Sequence, residues 1–231
     1  MLIAIGLLTG LATLLGGALA LRWRASIDLL LGFGGGAVVG VALLDLLPEA
    51  FGLSSGAHTP FVVATAIAGG FAAYLLTDQS IASLTRLGRL RSHVGPATLT
   101  AHSLMDGIGI GLAFQVNATT GWIVAIAVLA HDLVDGANTV TLSLSGGASR
   151  RTAGFWLATD ALAPLVGIGA SRLIAVPPAT LGLLLAVFAG FFCYIGASEL
   201  LPRARERRPQ LTTALATTLG MAAIYLAVRF S

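Results

Sequence analysis

Long uncharged apolar runs constrain this chain more than any other feature. Phe61–Leu76 and Thr180–Ala197 contain no charged residue. Helical segments of about 20 such residues span the hydrocarbon core of a bilayer. Inside that core each backbone N–H and C=O has to be paired within the protein, which leaves helices and closed barrels. The alternating pattern of barrel strands is absent. The sequence is 56% hydrophobic and 10% charged, with a mean hydropathy of +0.91. A soluble domain carries far more charge to cover its surface. The fold class expected is an all-α membrane protein.

Eight transmembrane helices are expected, over about 2–21, 29–50, 60–77, 96–115, 119–143, 152–171, 179–201 and 210–229. They form a single transmembrane domain over 1–231, because every connection is short. The longest connection, 78–95, is polar and basic. No basic residue precedes the first apolar run and no polar cleavage region follows it, so a retained span is expected there rather than a signal peptide. Cys193 is the one cysteine and can form no internal disulfide.

All 13 basic residues are arginines. Alternating sides place Arg22, Arg24, Arg86, Arg89, Arg91, Arg150, Arg151, Arg203, Arg205, Arg207 and Arg208 together, with only Arg172 and Arg229 opposite. Positive loops stay cytoplasmic, so both termini are expected on the extracellular or periplasmic side. The pI near 9.8 thus reflects topology. No basic patch with interleaved aromatics points to nucleic acid.

Two pairs of segments read alike. Asp45-Leu-Leu-Pro-Glu-Ala50 ends the second span, and Glu199-Leu-Leu-Pro-Arg-Ala204 ends the seventh. His102-Ser-Leu-Met-Asp-Gly107 lies in the fourth, and His131-Asp-Leu-Val-Asp-Gly136 in the fifth. On the arginine topology each pair sits on oppositely directed helices, as in inverted-repeat transporters with a site near mid-membrane.

Ionisable groups at bilayer depth are costly and mark function. Residues i and i+4 share a helix face, so His102 joins Asp106 and His131 joins Asp135. Ser103 and Asp132, three residues before those aspartates, flank the same faces. Asp106, Asp135 and Asp160 each fall roughly 12–15 Å from the cytoplasmic end of their spans, about half the hydrocarbon thickness. Three carboxylates at one depth repel unless protonated or neutralised. A divalent cation neutralises them and takes their oxygens and the imidazole nitrogens as ligands. A proton relay uses the same residue types, and a lone histidine can serve only as an inter-helix hydrogen-bond partner. Asp45 and Glu49 at the outer end of span 2, and Glu199 at the inner end of span 7, are expected to draw cations along a transport pathway. His58 and His93 read as solvated loop residues. Gly34-Gly35-Gly36 lies inside a span without a following Lys and Ser/Thr, so it is no phosphate loop.

At these residues the chain resembles the ZIP (Zrt/Irt-like) family of divalent metal transporters. The fourth-span motif His-Asn-x-x-Asp/Glu-Gly is matched by His102-Ser103-Leu-Met-Asp106-Gly107, and a similar fifth-span motif by His131-Asp132-Leu-Val-Asp135-Gly136. The sixth-span acid of the family's bacterial branch is matched by Asp160. Ser103 stands where the family usually has asparagine, and Val134 stands where a proline often precedes the fifth-span acid. Val38 replaces a methionine found in some relatives, and aspartates replace glutamates. The resemblance implies eight helices in a 3+2+3 arrangement with an inverted repeat. It also implies a metal site of His102, Ser103, Asp106, His131, Asp132, Asp135 and Asp160.

The function expected is movement of a divalent cation, Zn²⁺ first and Fe²⁺, Mn²⁺, Co²⁺ or Cd²⁺ as alternatives, into the cytoplasm. The metal is substrate, no cofactor is expected, and the chain is not expected to be an enzyme. It is expected to be a multi-pass protein of the plasma or inner membrane, with the lipid bilayer and metal ions as partners. A homodimer is left open. An intramembrane metal-dependent hydrolase and a proton-coupled carrier of an organic substrate are the rival readings. The first lacks a general base separate from the ligands and a His-Glu-x-x-His motif.

Overall fold

The computed structural model describes residues 1–22, 28–85, 91–173, 175, 177–205 and 210–230. Among these residues all regular structure is helical. In chain order the α-helices are α1 (Leu2–Arg22), α2 (Asp28–Val41), α3 (Leu47–Ser54), α4 (Pro60–Thr85), α5 (Arg91–Val116), α6 (Ala118–Ser145), α7 (Arg150–Ser171), α8 (Pro178–Tyr194), α9 (Leu201–Arg205) and α10 (Gln210–Phe230). A π-helical segment, π1 (Ala42–Leu46), joins α2 to α3, and another, π2 (Ile195–Leu200), joins α8 to α9.

Seven stretches of this set are long and apolar enough to cross a membrane: Leu2–Leu21, Gly32–Ser54, Pro60–Ser80, Ala118–Leu144, Arg150–Ser171, Pro178–Ser198 and Leu211–Phe230. The eighth expected span is α5, whose 26 residues reach about 39 Å against a core of roughly 30 Å. Its polar residues lower its hydropathy, and they are the residues of the site.

Helix ends differ from expectation in one direction. The connection expected over 78–95 is largely helix, since α4 continues through Thr85 and α5 already begins at Arg91. Polar residues such as Asp78, Gln79 and Ser80 end a hydropathy window but do not end a helix, which stops only where backbone pairing stops. His93 accordingly lies on the first turn of α5 rather than in a loop.

The two π segments were not expected, and both have the same cause. Each is followed by Leu-Pro, at Leu47-Pro48 and Leu201-Pro202. Proline lacks an N–H, and its ring crowds the carbonyl four residues back. The preceding turn widens: Leu47 N–H bonds Ala42 O and Leu201 N–H bonds Gly196 O, five residues back. The two Leu-Leu-Pro repeats thus share a backbone form as well as a sequence.

The helices form two compact units, Met1–Ser26 with Leu76–Gly111 and Asp132–Leu173, and Ile27–Leu75 with Leu112–His131 and Ile174–Ser231. Lipid tails are as apolar as the side chains, so helix association in a bilayer relies on close packing of small residues. In the first unit α1 runs along α7. Gly16 of α1 lies against the Leu133 carbonyl, and Gly136 of α6 lies against the Thr13 carbonyl. A Cβ at either position would strike backbone. This reciprocal crossing pins α6 beside Asp132 and Asp135. In the second unit α2 packs on α10 and α3 on α8. The Gly34-Gly35-Gly36 run lies within α2, where Gly34 faces Ala130 and His131 and Gly36 faces the Thr217 carbonyl.

Candidate metal centre

Helix period decides which polar side chains meet. On α5, His102 and Asp106 are one turn apart. On α6, His131, Asp135 and Thr139 follow at i, i+4 and i+8, with Asp132 three residues before Asp135. Asp160 lies midway along α7. All eight residues, Ser103 included, are buried, none more than 4% exposed. Burial of this many ionisable groups is stable only if they are paired with one another or with a cation.

His102 and Asp135 join α5 to α6. His102 Nε2 is 3.2 Å from Asp106 Oδ2 and 3.6 Å from Asp135 Oδ2. His131 stands one turn before Asp135 on the same unbroken helix. One ligand atom from each of His102, Asp106, His131 and Asp135 lies within 4.8 Å of the others. Zinc bonds of about 2.0–2.1 Å place the corners of a tetrahedron roughly 3.3 Å apart. The 3.2 and 3.6 Å separations therefore already approximate edges of such a polyhedron.

The protonation of His131 follows from its partner. Its Nδ1 is 2.9 Å from the Ala127 carbonyl, and a carbonyl only accepts. Nδ1–H is therefore the donor, and the neutral ring carries its lone pair on Nε2. A carbonyl that fixes the ring in this way is the usual support of a metal-binding histidine.

Asp160 is engaged differently. Ser103 Oγ donates to its Oδ1 at 2.7 Å, and Thr139 Oγ1 donates to its Oδ2 at 2.6 Å. The carboxylate thus ties α5, α6 and α7 together. Ser103 is turned toward Asp160 rather than into the four-residue group, and Asp132 is fully buried on α6. Thr139 was not among the residues expected at the site. The available signal was its i+4 relation to Asp135, but a threonine in an apolar helix carries no chemistry until its partner is known.

The expected pathway residues lie in the second unit. Asp45 sits in π1, buried at 7% exposure, and its Oδ2 has no hydrogen-bond partner among the described residues. Glu49 follows one turn later on α3, half-buried. The Glu199 side chain lies outside the described residues. His58 lies at the bend before α4. His93 is exposed and accepts a hydrogen bond from Trp156 Nε1 at 3.1 Å.

Fold and site together define a helical membrane protein of many spans with a buried His/Asp group suited to a divalent cation. The model of the ZIP zinc transporter family matches residues 85–227. The chain belongs to that family. It is also similar to the Caenorhabditis briggsae protein named zinc transporter zipt-7.1, with 29% identity over 109 residues. The matched part is 46% of this chain and 28% of that protein, so the chain spans well under two thirds of this relative's length. The family match encloses every residue of the metal centre and excludes Asp45 and Glu49.

Proposed function

We infer that the chain is a transporter of divalent metal cations, with zinc its first substrate, and that it is not an enzyme. The observation that carries this reading is the buried group of His102, Asp106, His131 and Asp135, whose ligand atoms lie within 4.8 Å of one another. Family membership and the relative's name support it. Two imidazoles and two carboxylates neutralise a dication while leaving it bound through exchangeable N and O ligands. Asp132, Ser103 and Asp160 form an adjoining polar set that shares Asp106 and Asp135. Asp45, Glu49 and Glu199 serve as cation-attracting positions along the path.

The arginine distribution supports both termini on the outer face, an inner or plasma membrane location and movement of metal inward. The paired motifs and the paired π segments support an inverted repeat in a 3+2+3 arrangement. The match of Asp160 to the sixth-span acid supports placement in the bacterial branch. A homodimer is compatible with this reading.

Uptake of zinc into proteoliposomes tests the assignment. The intact chain is expected to load them, and Asp106→Ala or Asp135→Ala to abolish loading. Undiminished uptake by either variant contradicts it. Flux of an organic solute that survives metal chelation would favour the proton-coupled rival.

A further inference from the structure

The outer faces of α5 and α7 leave a groove that the metal centre does not use. Within the first unit the two helices meet where Gly107 lies against the Pro164 carbonyl and Gly167 against the Leu104 carbonyl. Toward their N-terminal ends, His93 and Trp156 bridge them again at 3.1 Å. Between these two fastenings runs a cavity of about 610 Å³, lined by Ala97, Ala101 and Leu104 from α5 and by Ala158, Leu162 and Val166 from α7. This is within the roughly 300–1,000 Å³ of ordinary ligand sites.

Its lining is largely apolar. Among the described lining residues Thr100 and Thr159 supply the only hydroxyls, and each donates to its own helix, at Pro96 O (3.0 Å) and Phe155 O (2.8 Å). The wall is open to the surroundings: Phe155 is 64%, Leu162 59% and Val166 61% exposed. From Phe155 to Val166 the groove is about 16 Å long, half of a roughly 30 Å hydrocarbon core and so one leaflet deep.

Its end is cationic. Arg151 is one turn before Phe155, on the stripe that continues through Thr159, Leu162 and Val166, and His93 is one turn before Ala97. Arg150, Arg151 and His93 are all exposed. The first turns of both helices contain no acidic residue, so their N-terminal ends add positive potential. Trp156 stands at the same level, where an amphipathic ring sits among headgroups.

We propose that this groove is a specific site for an anionic phospholipid, one acyl chain lying between α5 and α7 and the headgroup phosphate facing Arg150 and Arg151. The cationic end and the leaflet-length apolar slot together favour a charged lipid over a helix of a second copy, which would leave the arginines unneutralised. On the proposed topology this is the cytoplasmic leaflet, where anionic lipids meet basic pockets between helices.

Native mass spectrometry of the full chain, with equimolar phosphatidylglycerol and phosphatidylcholine of identical acyl chains, tests the proposal. Retained phosphatidylglycerol is expected to exceed phosphatidylcholine about tenfold. Replacing Arg150 and Arg151 with Gln, both exposed, should remove the preference while lipid is still retained. Ala158→Phe, on the exposed wall, should remove the retained lipid of both kinds. Equal retention by the unaltered chain, an undiminished preference without the arginines, or full retention by Ala158→Phe overturns the proposal. So does disulfide cross-linking of two copies through Ala101→Cys. None of these readouts involves transport, so failure here is distinct from failure of the transport reading.

Discussion

Thr139 of α6 donates its hydroxyl to Asp160 of α7 across 2.6 Å of a fully buried interface. Hydrogen bonds to a charged group contribute more than neutral ones, and a buried carboxylate oxygen left without its donor carries the full desolvation cost. Thr139→Val, which keeps shape but deletes the donor, is expected to lower stability by about 1.5–3 kcal/mol. Thr139→Ser should retain most of it. Thermal unfolding in detergent compares the three proteins, and an unaltered Thr139→Val would contradict this role.

Metal binding to the folded state should stabilise it. At a free zinc concentration near 100 times Kd the gain is about 2.7 kcal/mol. A thermal-shift titration should show it for the intact chain and not for Asp135→Ala, whose loss removes the carboxylate 3.6 Å from His102 Nε2.

In the proposed site His131 ligates the metal through a ring already fixed by the Ala127 carbonyl. Losing even the supporting partner of a metal ligand typically weakens binding 10–100-fold. His131→Ala is therefore expected to weaken zinc affinity by at least about tenfold, read by competition with a chelating dye. Unchanged affinity would remove His131 from the ligand set.

The crossing of α1 and α6 should tolerate no added methyl group. Gly136→Ala drives a Cβ into the Thr13 carbonyl and is expected to cost about 1–3 kcal/mol. Gly154→Ala, where a Cβ meets nothing within 4 Å, should change stability by less than about 1 kcal/mol. Chemical denaturation of the two variants separates packing from composition.

Much of this was legible from spacing. The i, i+4 pairs His102/Asp106 and His131/Asp135 meet as the helical period requires, because a local rule determines them. Apolar runs located the spans, yet α4 and α5 overrun their hydropathy limits, since polar side chains at a membrane surface leave backbone pairing intact. The widening at π1 and π2 was latent in Pro48 and Pro202, whose effect falls on the turn before them. Thr139 was illegible for a different reason. Its meaning lies in Asp160, 21 positions away on another helix, and only tertiary packing supplies that partner. The reciprocal contacts of Gly16 and Gly136 are of the same kind.

In the proposed site one dication is held by His102, Asp106, His131 and Asp135. Anomalous diffraction from crystals loaded with zinc, collected at the zinc edge, locates that ion. A strong peak is expected with His102 Nε2, His131 Nε2 and oxygens of Asp106 and Asp135 at about 2.0–2.2 Å. A strongest peak elsewhere, with these four side chains unligated, would contradict it.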